Sequence, residues 1–272
     1  MATVDHSLFG GFHIILTIVS VLAAVMAAWF AARFVRSGAG SGGVVAGVDP
    51  KNSKRRLDMV LLLIGMMLAM LETFKQIYLY FSSGSTAYDW WYFPFQLCSV
   101  PMYLCALIPF VGPRLRSTFL TFMGGYTFVS AVAALVYPED ILSAAPVMIS
   151  HGFIWHAILL FISLLIFMTG TADASAAGLA RAAFLFAVLS VVAVIINIAV
   201  EPVMQTGRAA HSYAAMFYLN PYHLSPQPII SDIQKAAGIP AGLLLYSIVT
   251  TLAGSLATIL SGKISSKPRC GP

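Results

Sequence analysis

The sequence predicts an all-α, polytopic membrane protein, a bundle of about seven transmembrane helices. Hydrophobic residues make up 59% of its 272 residues and charged residues only 9%, whereas about a quarter of the residues in soluble domains are charged. Several apolar segments also have the ~20 residues that a helix needs to cross the hydrocarbon core of a bilayer. These segments cover residues 10–34, 58–82, 91–111, 116–136, 147–169, 180–203 and 240–262. We therefore interpret residues 1–272 as a single transmembrane domain.

The distribution of basic residues predicts the orientation of the bundle. Six lysines and arginines cluster around the first connection, whereas the second and fourth connections contain none. Basic residues accumulate on the cytoplasmic side, so we expect the N-terminus outside, the C-terminus inside, and a multi-pass location in the cell membrane. Residues 1–12 contain no Lys or Arg, which favours a retained first helix over a signal peptide. The pattern also explains the net charge of +5 without a nucleic-acid partner.

The ionisable and amide side chains within the predicted helices fall in the outer halves of those helices. Such groups are costly in hydrocarbon and are usually functional or paired. Glu72, Lys75 and Gln76 share one face of the second helix because they are spaced i, i+3 and i+4. The other polar residues expected at a similar depth in the membrane are Gln96, Cys98, His151, His156, Asn197, Glu201 and His13. Together they predict a polar cavity open toward the outer side and lined by helices 1, 2, 3, 5 and 6.

Several of these residues also have structural explanations. Glu72 and Lys75 can form an ion pair that fixes helix 2 within the bundle, and Cys98 can be an inert apolar residue. Glu201 can be an interfacial residue in contact with water, as can His13. His151 and His156 are about 140° apart around their helix, so we expect at least one of them to be structural.

A thiol beside an imidazole permits acyl-transfer chemistry. The imidazole removes the proton, and the thiolate attacks a carbonyl to form a thioester. An amide such as Gln96 or Asn197 can stabilise the oxyanion. The carbonyls accessible in the outer half of a membrane belong to lipid esters, so the predicted partners are membrane phospholipids. Zinc, Walker and Gly-x-Ser-x-Gly motifs do not occur in the sequence, and we expect neither a metal nor a cofactor.

Three short segments carry a resemblance to a known family: residues 93–100 (FPFQLCSV), residues 150–152 (SHG), and residues 218–222 (YLNPY) with Pro226 and Pro228 after them. They resemble a Pro-x-x-Leu-Cys segment, a membrane histidine motif and an Asn-Tyr…Pro loop in the YwaF-like family of bacterial membrane proteins. That family is related to transmembrane protein 164, an animal phospholipid acyltransferase. The third segment departs from the pattern, because Pro221 separates Asn220 from Tyr222. A more distant similarity extends to androgen-induced lipid-ester hydrolases.

The resemblance implies a membrane-embedded lipid acyltransferase or lipid-ester hydrolase. Cys98 would be its nucleophile and His151 its base. The supporting residues would be Gln96, His156, Glu72, Lys75, Gln76, Asn197 and Asn220.

Two further hypotheses stay open at this point. A transporter or receptor-like protein would use Glu72, Lys75 and Glu201 as a solute or proton site. An assembly protein without chemistry would fill the outer cavity with the long loop at residues 204–239. Neither the oligomeric state nor the lipid substrate follows from the sequence.

Overall fold

The computed structural model is a bundle of α-helices. It describes residues 8–37, 50–82, 88–142, 145–207 and 211–265. The helices in these ranges are α1 (Gly11–Arg36), α2 (Pro50–Ser82), α3 (Val100–Leu107), α4 (Pro113–Val136), α5 (Glu139–Leu142), α6 (Pro146–Thr169), α7 (Ala176–Met204), α8 (Pro228–Ala237) and α9 (Ile239–Ser265). Six of them, α1, α2, α4, α6, α7 and α9, are long and apolar enough to cross a membrane. No strand occurs in these ranges, and the all-α polytopic prediction is confirmed.

The segment predicted as a helix over 91–111 has a different form. Only Val100–Leu107 is α-helical, with 3-10 turns at Trp90–Tyr92 and Ile108–Phe110 on either side. Pro94 explains the break, since proline removes a backbone donor and disfavours the α conformation in the residue before it. Irregular backbone within a membrane needs partners from the protein. The Tyr103 hydroxyl supplies one by donating to the Pro94 carbonyl at 2.7 Å.

Helices α4 and α6 form the centre of the bundle. Of the most apolar stretch of each helix, 61% is buried in α4 and 50% in α6, against 28% or less in the other long helices. Helix α6 packs against α1 and α4, and α4 also packs against α7 and α9. Gly125 allows a close approach of α4 and α9, because a Cβ there would collide with the carbonyl oxygen of Gly254. Small residues let membrane helices pack at such distances.

The end of the bundle where α2 begins is fastened by ion pairs that the sequence did not indicate. Helix α2 begins at Pro50, several residues before its predicted start at residue 58, so Asp58 lies about two turns inside the helix rather than at its first residue. Its carboxylate accepts hydrogen bonds from Arg116 Nε at 2.8 Å and Nη2 at 2.6 Å. Asp173 pairs with Arg181 at 2.7 Å in the connection between α6 and α7. The expectation that all ionisable side chains of the helices lie in their outer halves is therefore incomplete, because these pairs lie at the opposite end from the Glu72 group.

Residues 211–225 form a segment between α7 and α8 that we call the cap. The cap and the Trp90–Tyr92 turn lie at the same end of the bundle, because Asp89 contacts His211. Helix α8 follows the cap and packs against α9. Which side of the membrane this end faces stays a prediction from the charge pattern.

Candidate functional site

One face of α2 carries a buried polar cluster directed at the Trp90–Tyr92 turn. Glu72 Oε1 accepts from Lys75 Nζ at 2.8 Å and from Gln76 Nε2 at 2.7 Å. Gln76 Nε2 also donates to the carbonyl of Tyr92 at 2.9 Å. These bonds tie the C-terminal half of α2 to the start of the broken third segment. Among the described residues none donates to Glu72 Oε2, which is buried.

Tyr88 completes this cluster from the connection after α2. Its hydroxyl donates to Gln76 Oε1 at 3.0 Å. Burial, followed by the negative charge of Glu72, raises the pKa of Tyr88 to about 12. The hydroxyl therefore stays protonated and keeps Gln76 oriented across the ordinary pH range.

Cys98 lies in the irregular backbone just before α3, and its side chain is half-buried. Its carbonyl oxygen accepts from Trp155 Nε1 at 3.1 Å. The charges of Lys75 and Glu72 both act on its thiol electrostatically. Cys105, by contrast, is fully buried within α3, with its sulfur 3.5 Å from the sulfur of Met123. Of these two cysteines, only Cys98 adjoins the polar cluster.

His151 faces the same cluster from α6. Its Nε2 lies 3.2 Å from the carbonyl oxygen of Leu71, and because a carbonyl only accepts, Nε2 is assigned the proton. The lone pair of the neutral ring is then on Nδ1. The ring stacks on Trp155 with centroids 5.6 Å apart, and it interacts electrostatically with Lys75 and Glu72. Among the described residues no hydrogen bond joins either imidazole of α6 to the Cys98 thiol.

His156 has a different environment. Its Nδ1 lies 2.8 Å from the Gly152 carbonyl, one turn earlier in α6. The side chain is buried and bonded to its own helix. This structural role agrees with the expectation that the two α6 histidines do not act at one centre.

Gln96 and Asn197 hold the cap in place. Asn197 is fully buried; its Oδ1 accepts from the Met216 amide at 2.8 Å, and its Nδ2 donates to the Met216 carbonyl at 3.1 Å. Gln96 Oε1 accepts from the Phe217 amide at 2.9 Å. Phe217 and Tyr218 both have positive φ angles, 56° and 57°, which are unfavourable for bulky residues. The two amides thus support a strained turn rather than pointing toward a substrate carbonyl.

Asn220 organises the cap internally. Its Nδ2 donates to the Ala214 carbonyl at 2.6 Å. Its Oδ1 accepts from the backbone amides of Tyr222 at 2.7 Å and His223 at 3.1 Å, an arrangement typical of Asn in turns. This local role explains the residue without a direct part in chemistry.

Two histidine–carboxylate pairs attach the cap to the bundle, and sequence reasoning missed both. His211 Nδ1 lies 2.7 Å from Asp89 Oδ2, and His223 Nε2 lies 2.6 Å from Glu201 Oε1. Glu201 was expected to contact water, but the cap covers it and leaves its side chain 9% exposed. No local pattern identifies such pairs, because their partners are distant in sequence.

The cap also inserts an aromatic side chain into the end of the bundle. Phe217 is fully buried and packs against Phe95 at 5.7 Å and Phe186 at 6.1 Å between ring centroids. The cap therefore covers the end of the bundle beside Phe95 and Phe186. In the part of the chain that the structure describes, no group of three or more His, Cys, Asp or Glu side chains is arranged to hold a metal ion.

Comparison with known proteins supplies the family. The model of the TMEM164 family matches residues 8–257, a range that contains the α2 cluster, Cys98, His151 and the cap. No curated protein and no solved structure matches the chain. With the long apolar helices, the match makes this a multi-pass integral membrane protein. The chain belongs to the TMEM164 family.

Proposed function

We propose that this protein is a membrane-embedded lipid acyltransferase or lipid-ester hydrolase that acts through a thioester on Cys98. One observation carries the proposal: Cys98 and His151 both contact the same side chain, that of Trp155. Trp155 links the two residues, since its N–H donates to Cys98 and its ring stacks on His151. The resemblance in sequence implies the same nucleophile and base.

The first half of the reaction transfers the acyl group to the protein. His151 Nδ1 takes the thiol proton, and the Cys98 sulfur bonds to the ester carbonyl carbon of a phospholipid. The tetrahedral intermediate collapses, the C–O ester bond breaks, and the departing lysophospholipid oxygen takes the proton from His151. Catalytic hydrogen bonds are often long without substrate, which is consistent with the separation of thiol and imidazole.

The second half returns the enzyme to its starting state. An acceptor hydroxyl gives its proton to His151, and its oxygen attacks the thioester carbon. The C–S bond breaks, and the Cys98 thiolate takes the proton back from His151. A lipid hydroxyl as acceptor makes the protein a transferase, whereas water makes it a hydrolase. Glu72 pairs with the Lys75 ammonium at 2.8 Å, so proton removal by His151 is the step that generates the thiolate.

A second candidate is a small-solute or proton-coupled transporter with Glu72 and Lys75 as its polar site. The buried Oε2 of Glu72, which has no hydrogen-bond partner among the described residues, favours it, because buried carboxylates in membranes often take up protons or cations. Under this proposal Cys98 is incidental. Replacing Glu72 by Gln would then abolish uptake in vesicles, and Cys98→Ser would leave uptake unchanged.

Turnover in proteoliposomes tests the enzymatic proposal. The purified full chain is mixed with total phospholipid carrying radiolabelled acyl chains, and the release or transfer of label is followed. We expect Cys98→Ala to abolish turnover and His151→Ala to slow it by roughly a hundredfold or more, the usual contribution of a general base. Cys105→Ala is the matched control and should retain activity. Equal turnover by the Cys98→Ala and Cys105→Ala variants would exclude a nucleophilic Cys98.

A further inference from the structure

A groove lies at the end of α2 that is distant from the polar cluster. Its volume is about 420 Å³, and it lies between the first turns of α2 and Pro109 in the turn after α3. Neither the acyl chemistry proposed above nor the cap involves it. The charge pattern predicts that this end faces the cytoplasm.

The rim of the groove is basic. Lys51, Lys54 and Arg55 line it. Lys54 and Arg55 are exposed, and within the described ranges neither makes an ion pair or a side-chain hydrogen bond. Asp58 also lines the groove, but its charge is already matched by Arg116 at 2.6 Å. The rim therefore keeps an excess of positive charge.

The floor of the groove is apolar. It consists of Met59, Leu62 and Pro109. The next exposed residues along α2 are also apolar, with Leu63 54% and Met66 46% exposed. This surface runs from the basic rim toward the middle of the membrane-crossing helix. A ligand that fits both parts has an anionic group joined to a hydrocarbon chain.

We propose that this groove binds an anionic phospholipid of the cytoplasmic leaflet. The phosphate contacts Lys54 and Arg55, and the beginning of an acyl chain lies along Met59 and Leu62. Basic pockets beside membrane helices bind anionic headgroups in this manner. A free phosphate would use the rim alone, so the apolar floor favours the lipid. The site is separate from Cys98, and the inference holds whether or not the protein is an enzyme.

Lipid binding to the purified full chain tests this inference. Native mass spectrometry compares phosphatidylglycerol with phosphatidylcholine carrying identical acyl chains. We expect the wild-type protein to prefer phosphatidylglycerol by about tenfold or more, and the Lys54→Gln/Arg55→Gln variant to lose that preference. The charge-preserving Lys54→Arg/Arg55→Lys variant should keep it.

A second charge-matched variant separates the groove from the general charge of this face. Arg33 and Arg36 end α1 and do not line the groove, so Arg33→Gln/Arg36→Gln should leave the preference within about twofold of the wild type. Equal losses in both double variants, or no preference in the wild type, would overturn the proposal. Displacement of the lipid by water-soluble glycerophosphate at a similar concentration would also overturn it, because the site would then be one for free phosphate.

Discussion

The indole nitrogen of Trp155 donates a hydrogen bond of 3.1 Å to the carbonyl oxygen of Cys98. This bond joins α6 to the irregular backbone that precedes α3. The carbonyl belongs to a stretch without regular helical bonding, so the indole supplies a partner that the backbone does not. The same ring stacks on His151 at 5.6 Å between centroids. One side chain therefore positions both residues of the proposed reaction.

Replacing Trp155 by Phe is expected to keep the stacking surface and remove the donor. The Cys98 carbonyl then loses its indole partner, which should destabilise the protein by about 1–3 kcal/mol. Thermal unfolding in detergent measures this loss, with Trp29→Phe on the exposed face of α1 as the control. An unchanged unfolding temperature for Trp155→Phe would show that the bond contributes nothing.

The attachment of the cap should depend on Asn197. Asn197→Ala leaves the buried amide of Met216 without its partner, whereas the Met216 carbonyl still accepts from the Leu219 amide at 3.0 Å, so the expected cost is about 1–3 kcal/mol. The cap should also become more accessible to protease within residues 211–225. The exposed Asn52 provides a matched Asn→Ala control. Equal protease resistance of the two variants would contradict a holding role for Asn197.

Asp58 and Arg116 should show energetic coupling. Each side chain is 14% exposed, so removing one partner leaves a poorly solvated charge on the other. We expect Arg116→Gln to cost about 2–3 kcal/mol and Asp58→Asn/Arg116→Gln to cost less than the sum of the single variants. A double-mutant cycle of unfolding free energies measures the coupling. Simple additivity would mean that the pair stabilises nothing beyond its separate side chains.

Asp173 should make stability depend on pH. Hydrogen bonds from Ser175, with a further contribution from Arg181, hold the pKa of Asp173 below its ordinary value. A depressed pKa contributes stability above the unfolded value of about 3.9, and this contribution is lost as the pH falls through the folded pKa. Asp173→Asn should therefore be less stable than the wild type at pH ~7 and approach it at pH below ~4. Unfolding measured across this range checks the sign, and a constant difference would contradict it.

The local features of the site follow from helical geometry alone. Glu72, Lys75 and Gln76 fall on one face because their spacing matches the helix repeat, and the structure joins them by hydrogen bonds. The sequence also suggested the family relation, and the family match bears out a TMEM164-like membrane protein. The fold class and the membrane location can also be predicted from the sequence, since they depend on composition and on the lengths of the apolar segments.

The remaining features depend on tertiary contacts. Pro94 lies in the mostly apolar segment 91–111, whose length predicted one continuous helix, although only Val100–Leu107 is α-helical. The His211–Asp89 and His223–Glu201 pairs form only because the cap folds back onto the bundle. Likewise, nothing in the sequence indicates that Asn197 bonds the Met216 backbone. Spacing along the chain carries no information about such partners.

Trapping the acyl group on Cys98 tests the proposed chemistry most directly. The protein is incubated in liposomes of radiolabelled phospholipid and denatured at acidic pH, and peptides containing Cys98 and Cys105 are compared by mass spectrometry. Our account predicts an acyl adduct on Cys98 that hydroxylamine removes, that is absent from Cys105, and that forms more slowly in His151→Ala. An active protein with no adduct on Cys98, or with equal adducts on both cysteines, would contradict it.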